Sequence, residues 1–284
     1  NLIVEKGIIY VSDNLGYFYA YNYNQDKILW AKNYKTPFKS NLKLFENKLI
    51  LSNQNNTLLF INKKNGDILK LVPTEEITVK NQFKNNLSLN EKSVFFLNTY
   101  GSLYSLDIKT MRVNWFLSLN QSFDLNPSNL FNGSEIVNNE NTIVVSSNYF
   151  TYIIDAIRGK ILYKINFSSN IKPIIAKNYL FLITKNDLLI AMDLNNGDVI
   201  YSYNVNKKIS KFINKKKKSV KYRSMFLANN YIYIFLENSF FLKFDINGTL
   251  DKVKKLPRKM HSFPMFVDNS MIYISSNKKI SVLD

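Results

Sequence analysis

The sequence predicts an all-β chain, a β-propeller of four-stranded antiparallel blades. Three observations predict it: short β-branched and aromatic runs separated by turn residues, a recurrence of about 40–50 residues, and one polar-turn-aromatic cassette that repeats through the chain. The clearest unit is residues 92–115, KSVFFLNTYGSLYSLDIKTMRVNW, which reads as three strands joined by the turns NTYGS and DIKTM and ending on Trp115. A meander of this length cannot bury its own apolar faces, so it needs copies of itself.

An Asp or Asn closes the matching strand at Asn22, Asn62, Asp107, Asp155, Asp193, Asp245 and Asp284, at spacings of 38 to 52 residues. Eight residues further on stand Trp30, Trp115, Tyr163 and Tyr201, whereas Lys70 and Val253 occupy that place in the second and sixth copies. The intervening turns, NKKNGD, DAIRGK, DLNNGD and DINGT, supply residues able to adopt positive φ. A carboxylate or amide ending a strand can accept backbone N–H bonds from the turn after it, so Asp107, Asp155, Asp193 and Asp245 are expected to be structural. No acid–base partner repeats beside them. The Trp and Tyr positions are expected to pack between neighbouring blades. An ordinary β-sandwich is the other all-β reading, but it gives no reason for one cassette to recur.

The copies fall at approximately 1–34, 39–75, 86–120, 130–167, 171–206, 222–256 and 262–284, and residues 1–284 read as a single propeller domain. In the first copy LIV at 2–4 is the innermost strand, followed by GIIYVS, YFYAYN and KILWA. Residues 35–46 read as a crossover, where Pro37 does no harm to a ladder. VPTEEITVKNQFKNN crosses into the third copy. A long connection containing Pro127 and Gly133 follows Trp115, and such connections are where binding residues tend to sit. SSNIKPIIA at 168–176 enters the fifth copy. After Val205 comes the longest insertion, with Lys207, Lys208, Lys211, Lys215 to Lys218, Lys221 and Arg223. It reads as a solvated loop or an anion-contacting one; Phe212 and Tyr222 give it little aromatic interleaving, a weak signal for single-strand nucleic acid. The seventh copy lacks its last strand, so an eighth blade completed by residues upstream of Asn1 is expected in the intact protein.

Composition narrows function further. The 284 residues are 46% hydrophobic and contain no apolar run of membrane-spanning length. Cysteine is absent, which excludes disulfides, thiolate metal sites and cysteine nucleophiles. The single histidine, His261, has no second His or adjacent carboxylate, so no metal or catalytic site is expected there. The net charge of +17 favours an anionic partner or reflects a Lys-rich composition spread over most copies.

The cassette resembles the quinoprotein-type (PQQ-like) propeller repeat, with YFYAYNYNQDKILW at 17–30, LYSLDIKTMRVNW at 103–115 and LIAMDLNNGDVIY at 189–201 as its best matches. Within that repeat, the chain most resembles the BamB family of outer-membrane protein assembly factors. The resemblance implies a non-enzymatic periplasmic lipoprotein scaffold, tethered to the outer membrane by an anchor upstream of Asn1. Its implied partners are the periplasmic domains of BamA, the barrel-inserting subunit, and unfolded outer-membrane proteins, with no cofactor and no nucleic acid. It also implies two docking crossovers. Ser122, Phe123, Asp124, Leu125 and Asn126 match a Ser-Leu-x-Leu-Arg-type stretch, with Asn126 in place of the Arg. Ser168 and Asn170 stand before Pro173 where the family carries two Asp residues. The alternatives are a peptide-sensing propeller, whose strand edges take extended chains, and a relative of PQQ-dependent dehydrogenases, which by family resemblance need a catalytic Asp, a calcium site and usually a vicinal cysteine pair.

Overall fold

The middle strands of this chain are apolar on both faces, and that dictates the packing. Leu49, Leu51, Leu59 and Ile61 alternate with Ile50, Leu58 and Phe60 along two adjacent strands. A strand points successive side chains to opposite faces, so both faces of the sheet must be covered. The computed structural model describes residues 2–76, 84–120, 130–131, 133–147, 149–169, 171–209, 220–267 and 270–283. It is a seven-blade β-propeller: six four-stranded antiparallel sheets and one three-stranded sheet, each with its strands in chain order. The one helix among the described residues is short, Val205–Ile209.

Blade one holds Leu2–Glu5, Ile8–Ser12, Tyr17–Asn22 and Lys27–Asn33. Blade two holds Lys43–Phe45, Lys48–Ser52, Leu58–Asn62 and Ile68–Val72. Blade three runs from Asn86–Leu89 to Val113–Ser118, and blade four from Val137–Asn138 to Ile161–Ile165. Blade five runs from Ile174–Ala176 to Val199–Asn204, and blade six from Tyr222–Ala228 to Leu250–Lys255. Blade seven has Met265–Val267, Ser270–Ile274 and Ile280–Leu283. Four details differ from the sequence reading. Residues 35–46 are not only a crossover, because Lys43–Phe45 forms the innermost strand of blade two. Residues 168–176 likewise end in the innermost strand of blade five, Ile174–Ala176. The insertion after blade five begins as a helix rather than a loop. Tyr222 and Arg223, at the end of that insertion, belong to the first strand of blade six. Innermost strands of two to four residues are too short to show a period of two.

Two compact units divide the chain, residues 1–148 with 152–162 and residues 149–151 with 163–284. In the first unit, Leu49, Leu51, Leu59 and Ile61 pack on Tyr10, Phe18 and Trp30 of blade one, while Ile50, Leu58 and Phe60 pack on Leu87, Val94, Phe96 and Leu106 of blade three. In the second unit, Phe181, Ile183 and Leu189 of blade five meet Met225, Ile232, Ile234 and Phe244 of blade six. Phe235 and Phe241 of blade six then meet Met271 and Tyr273 of blade seven. The opposite face of blade seven leaves Met265, Val267, Ile274, Ile280 and Val282 exposed.

The aromatic positions clamp one blade to the next. Trp30 Nε1 donates to the Lys63 carbonyl (3.0 Å) and its ring lies on Gly66 in the blade-two turn. Trp115 Nε1 donates to the Ala156 carbonyl (3.2 Å) and its ring lies on Gly159 in the blade-four turn. Tyr163 Oη donates to the Asn195 carbonyl (2.9 Å) over Gly197, and Tyr201 Oη to the Ile246 carbonyl (3.0 Å) over Gly248. Each ring is aimed by its outer strand. In blades one, three and five a β-bulge falls just before Trp30, Trp115 and Tyr201, and a bulge turns the side chain that follows it. At the seam between blades two and three both partners differ together: Lys70 stands in place of a ring, and Met111, at φ 57°, in place of a glycine. The Met111 side chain packs instead against the core of Ile50, Phe60 and Phe96.

A Cβ on Gly159 would lie 2.5 Å from the Trp115 ring, and the backbone there is at φ +69°. Gly159→Ala is therefore expected to cost about 1–3 kcal/mol in urea unfolding. In a Trp115→Leu background the same change is expected to cost less than half as much, because the smaller side chain yields. Equal costs in both backgrounds would show that the ring–glycine contact carries no coupling.

Candidate docking surface

Four of the crossovers between blades leave from one kind of place. In blades one, three, five and six the residue after the outer strand donates its N–H to a carbonyl in the turn between the second and third strands: Tyr34 to Gly16, Leu119 to Gly101, Val205 to Asp187 and Leu256 to Ser239, at 2.7–2.9 Å. All four acceptor residues have positive φ. These turns fix where each crossover starts before its own sequence matters.

In blade three, the chain also returns to the same turn. Leu119 and Leu130 are buried, the Phe131 N–H donates to the Thr99 carbonyl (2.9 Å), and the Phe131 ring packs on Gly101. Both flanks of the crossover are thus tied to residues 98–102. Ser122, Phe123, Asp124, Leu125 and Asn126 lie between those flanks and outside the described residues. In the next crossover Ser168 is buried, and its carbonyl accepts from the Lys185 N–H (3.1 Å). Thr151 Oγ1 donates to the Phe167 carbonyl (2.8 Å), while Asn170 lies outside the described residues.

The sequence reading passed over Glu75, which organises the crossover from blade two to blade three. Its carboxylate accepts from Asn98 Nδ2 (2.6 Å), Ser102 Oγ (2.6 Å) and Tyr104 Oη (3.0 Å). Asn56 Nδ2 donates to the Glu75 carbonyl (3.0 Å), and Thr74 Oγ1 to the Asn56 carbonyl (2.6 Å). Burial alone would raise the Glu75 pKa, but the donors from Ser102, the backbone, Tyr104 and Asn98 outweigh it and hold the group below its ordinary 4.5. Nothing in VPTEEITV distinguishes Glu75 from its exposed neighbour Glu76; the donors come from the next blade.

The strand-ending polar residues serve their own turns. Asn22 Oδ1 accepts from Asn24 N (3.0 Å), Asn62 Oδ1 from Lys64 N (2.9 Å) and Asp107 Oδ1 from Thr110 N (2.6 Å). Asp155 Oδ1 accepts from Ile157 N and Arg158 N (both 2.8 Å), Asp193 Oδ1 from Asn195 N (2.8 Å), and Asp245 Oδ1 from Thr249 N (2.8 Å). Of the basic insertion, the Arg223 guanidinium donates to the carbonyls of Met260 (2.8 Å) and His261, which pins it to the crossover into blade seven. Lys211 and Lys215 to Lys218 lie outside the described residues. Among the described residues no group of three His, Cys, Asp or Glu is placed to hold a metal ion.

A family model described as outer membrane protein assembly factor BamB matches residues 2–203. The chain belongs to the BamB family. The solved structure of BamB from Moraxella catarrhalis matches 99% of this chain and 82% of its own, at 12% identity and a TM-score of 0.76. Quinohemoprotein alcohol dehydrogenase from Comamonas testosteroni matches 96% of this chain and 63% of its own, at 10% identity and 0.67. The computationally designed Ika8 protein matches 99% and 94%, at 12% identity and 0.62. At such identities these likenesses show the shared propeller fold. None of the curated proteins matches the chain in sequence.

The depressed pKa of Glu75 makes a signed prediction. Its carboxylate stabilises the fold above the unfolded-state value of 4.5, and that contribution is lost as pH falls through the lower folded value. At pH 7 Glu75→Gln is expected to lower stability by about 1 kcal/mol, a figure kept small by partial solvent access. Urea midpoints taken from pH 7 to pH 3 should show the gap between wild type and variant closing below about pH 4.5; a gap constant with pH would remove the charged interaction as its cause.

Proposed function

We propose that this chain is a non-enzymatic scaffold of the β-barrel assembly machinery, docking on the periplasmic domains of a BamA-type protein and assisting insertion of outer-membrane proteins. The observation that carries the reading is the family match over residues 2–203, together with a propeller whose described Asp column is engaged in its own turns. In this reading the protein works in the periplasm, attached to the outer membrane through a lipid anchor, and needs no cofactor. Its docking residues lie on the crossovers after blades three and four: Phe123, Leu125 and Asn126 in one and Asn170 in the other, with the buried Ser168 anchoring the second rather than facing a partner. The tying of both flanks of the first crossover to one turn supports this, since a binding segment on a fixed base loses less entropy on docking.

A second reading has one observation in its favour. The outer strand of blade two, Ile68–Val72, exposes Ile68 (47%), Leu69 (39%) and Leu71 (47%) along a sheet edge. Such an edge can take an extended chain by strand addition, so the propeller would sense or hold unfolded outer-membrane segments. A role as a relative of PQQ-dependent dehydrogenases has only the fold likeness at 10% identity behind it.

Immobilised periplasmic domains of the cognate BamA-type protein are expected to retain the chain, and Phe123→Asp with Leu125→Asp to reduce that retention at least about tenfold with unchanged circular dichroism. Retention unaffected by the double change would sink the proposed surface. Crosslinking to unfolded barrel substrates in the absence of BamA, lost on Leu69→Lys with Leu71→Lys, would favour the edge-strand reading instead.

A further inference from the structure

Where blade two meets blade three, the cleft at the crossover end is filled by the protein's own Glu75 carboxylate, received by Asn98, Ser102 and Tyr104. The corresponding cleft where blade five meets blade six is open. It is a cavity of about 330 Å³ lined by Ile171, Ile183, Thr184, Lys185, Asp187, Val220, Lys221, Tyr222 and Glu237. All of these residues belong to the second compact unit. The size lies at the small end of ligand pockets, which run from roughly 300 to 1,000 Å³.

The lining is built from four kinds of group. Ile171, Ile183 and Val220 are its apolar part, and Ile183 belongs to the blade-five core. Lys185 and Lys221 supply cations, and Asp187 and Glu237 supply carboxylates. Asp187 is partly committed, because its carboxylate accepts from Asn206 Nδ2 and its carbonyl from Val205 N (2.8 Å). Tyr222 Oη is buried beside that carboxylate, near enough for a hydrogen bond to it to add to its pKa shift but short of a well-formed one, and the buried Asn206 Oδ1 has no hydrogen-bond partner among the described residues. A ligand oxygen in the cavity would give the hydroxyl a well-formed acceptor. Burial first, then the Asp187 charge and the hydrogen bond to it, push the Tyr222 pKa up, so the hydroxyl stays protonated and able to donate.

We propose that this cavity binds a free carboxylate attached to an apolar side chain: an apolar amino acid, or the carboxy-terminal residue of a peptide. Lys221 takes the carboxylate charge and the Tyr222 hydroxyl donates to one of its oxygens. Glu237 accepts from the ligand's amine or amide N–H. Ile171, Ile183 and Val220 receive the side chain. The external carboxylate thus enters the kind of inter-blade cleft that Glu75 closes from within three blades earlier in the chain. The site adjoins the crossover after blade four, since Ile171 belongs to it and Lys185 N donates to the Ser168 carbonyl, but it does not depend on the scaffold reading, because the titration below contains no BamA-type protein.

The test is isothermal titration of the whole chain with leucine, acetyl-leucyl-leucine and acetyl-leucyl-leucinamide. The free-acid peptide is expected to bind saturably, and the amide at least about tenfold more weakly, since it lacks the charge that Lys221 meets. Lys221→Met, at an exposed position, is expected to weaken the acid about tenfold and leave the amide unchanged; Tyr222→Phe, which keeps the ring, is expected to weaken the acid about threefold. Leucine binding as tightly as the peptide would assign the site to free amino acids, and binding of the peptide alone would assign it to chain ends. Equal affinity for acid and amide, no saturable heat with any of the three ligands, or full affinity in both variants would overturn the proposal.

Discussion

Every seam of this propeller that carries a ring depends on one contact, an aromatic side chain from an outer strand lying flat on the turn of the following blade. Trp30 on Gly66, Trp115 on Gly159, Tyr163 on Gly197 and Tyr201 on Gly248 are the same contact four times, each closed by a donor from the ring to a turn carbonyl. The ring needs the glycine because no Cβ fits beneath it. The turn needs the glycine because its backbone is left-handed there. Two independent requirements therefore fall on one position, and this explains why ring and glycine vary together where Lys70 and Met111 replace them. The strand-ending Asp or Asn is the third part of the device, since its side chain ties down the N–H groups of the turn on which the ring rests.

A second set of turns does for function what the first does for stability. In blades one, three, five and six a positive-φ residue between the second and third strands accepts the first N–H of the outgoing crossover, so those four crossovers start from fixed points whatever their own sequence. That separation lets one scaffold keep its seams while its crossovers diverge. Glu75 anchors one crossover to the next blade, a helix opens another, and the crossover after blade three returns to the turn it left. That this chain matches the fold of the Moraxella catarrhalis BamB structure at 12% identity accords with seams that demand only a ring, a small turn residue and an apolar pattern.

The same logic bears on activity. A scaffold role asks for rigid blades and variable crossovers, and the described polar residues of the repeat are absorbed by the fold: Asp107, Asp155, Asp193 and Asp245 by their own turns, Arg223 by the Met260 and His261 carbonyls. Tyr222 differs in its setting: its hydroxyl is buried at the edge of an open cavity, beside a carboxylate that Asn206 also engages.

The fold class was legible in the sequence because its determinants are local. Turn residues, β-branched runs and a cassette that recurs every 38 to 52 residues mark seven copies and most of the strands within them. The shortest innermost strands, Val137–Asn138 and Lys43–Phe45, were not legible, since two or three residues carry no period and are held by the neighbouring strand rather than by their own composition. Of the candidate site, the sequence showed which crossovers are long and where Phe123, Leu125 and Ser168 lie along them. It did not show that Leu119 and Phe131 meet at one turn, that Ser168 is buried, or that Glu75 and Tyr222 occupy inter-blade clefts. Those facts depend on side chains from blades distant in sequence. Repetition along the chain determined the architecture, and only the tertiary structure decided which polar groups one blade presents to the next.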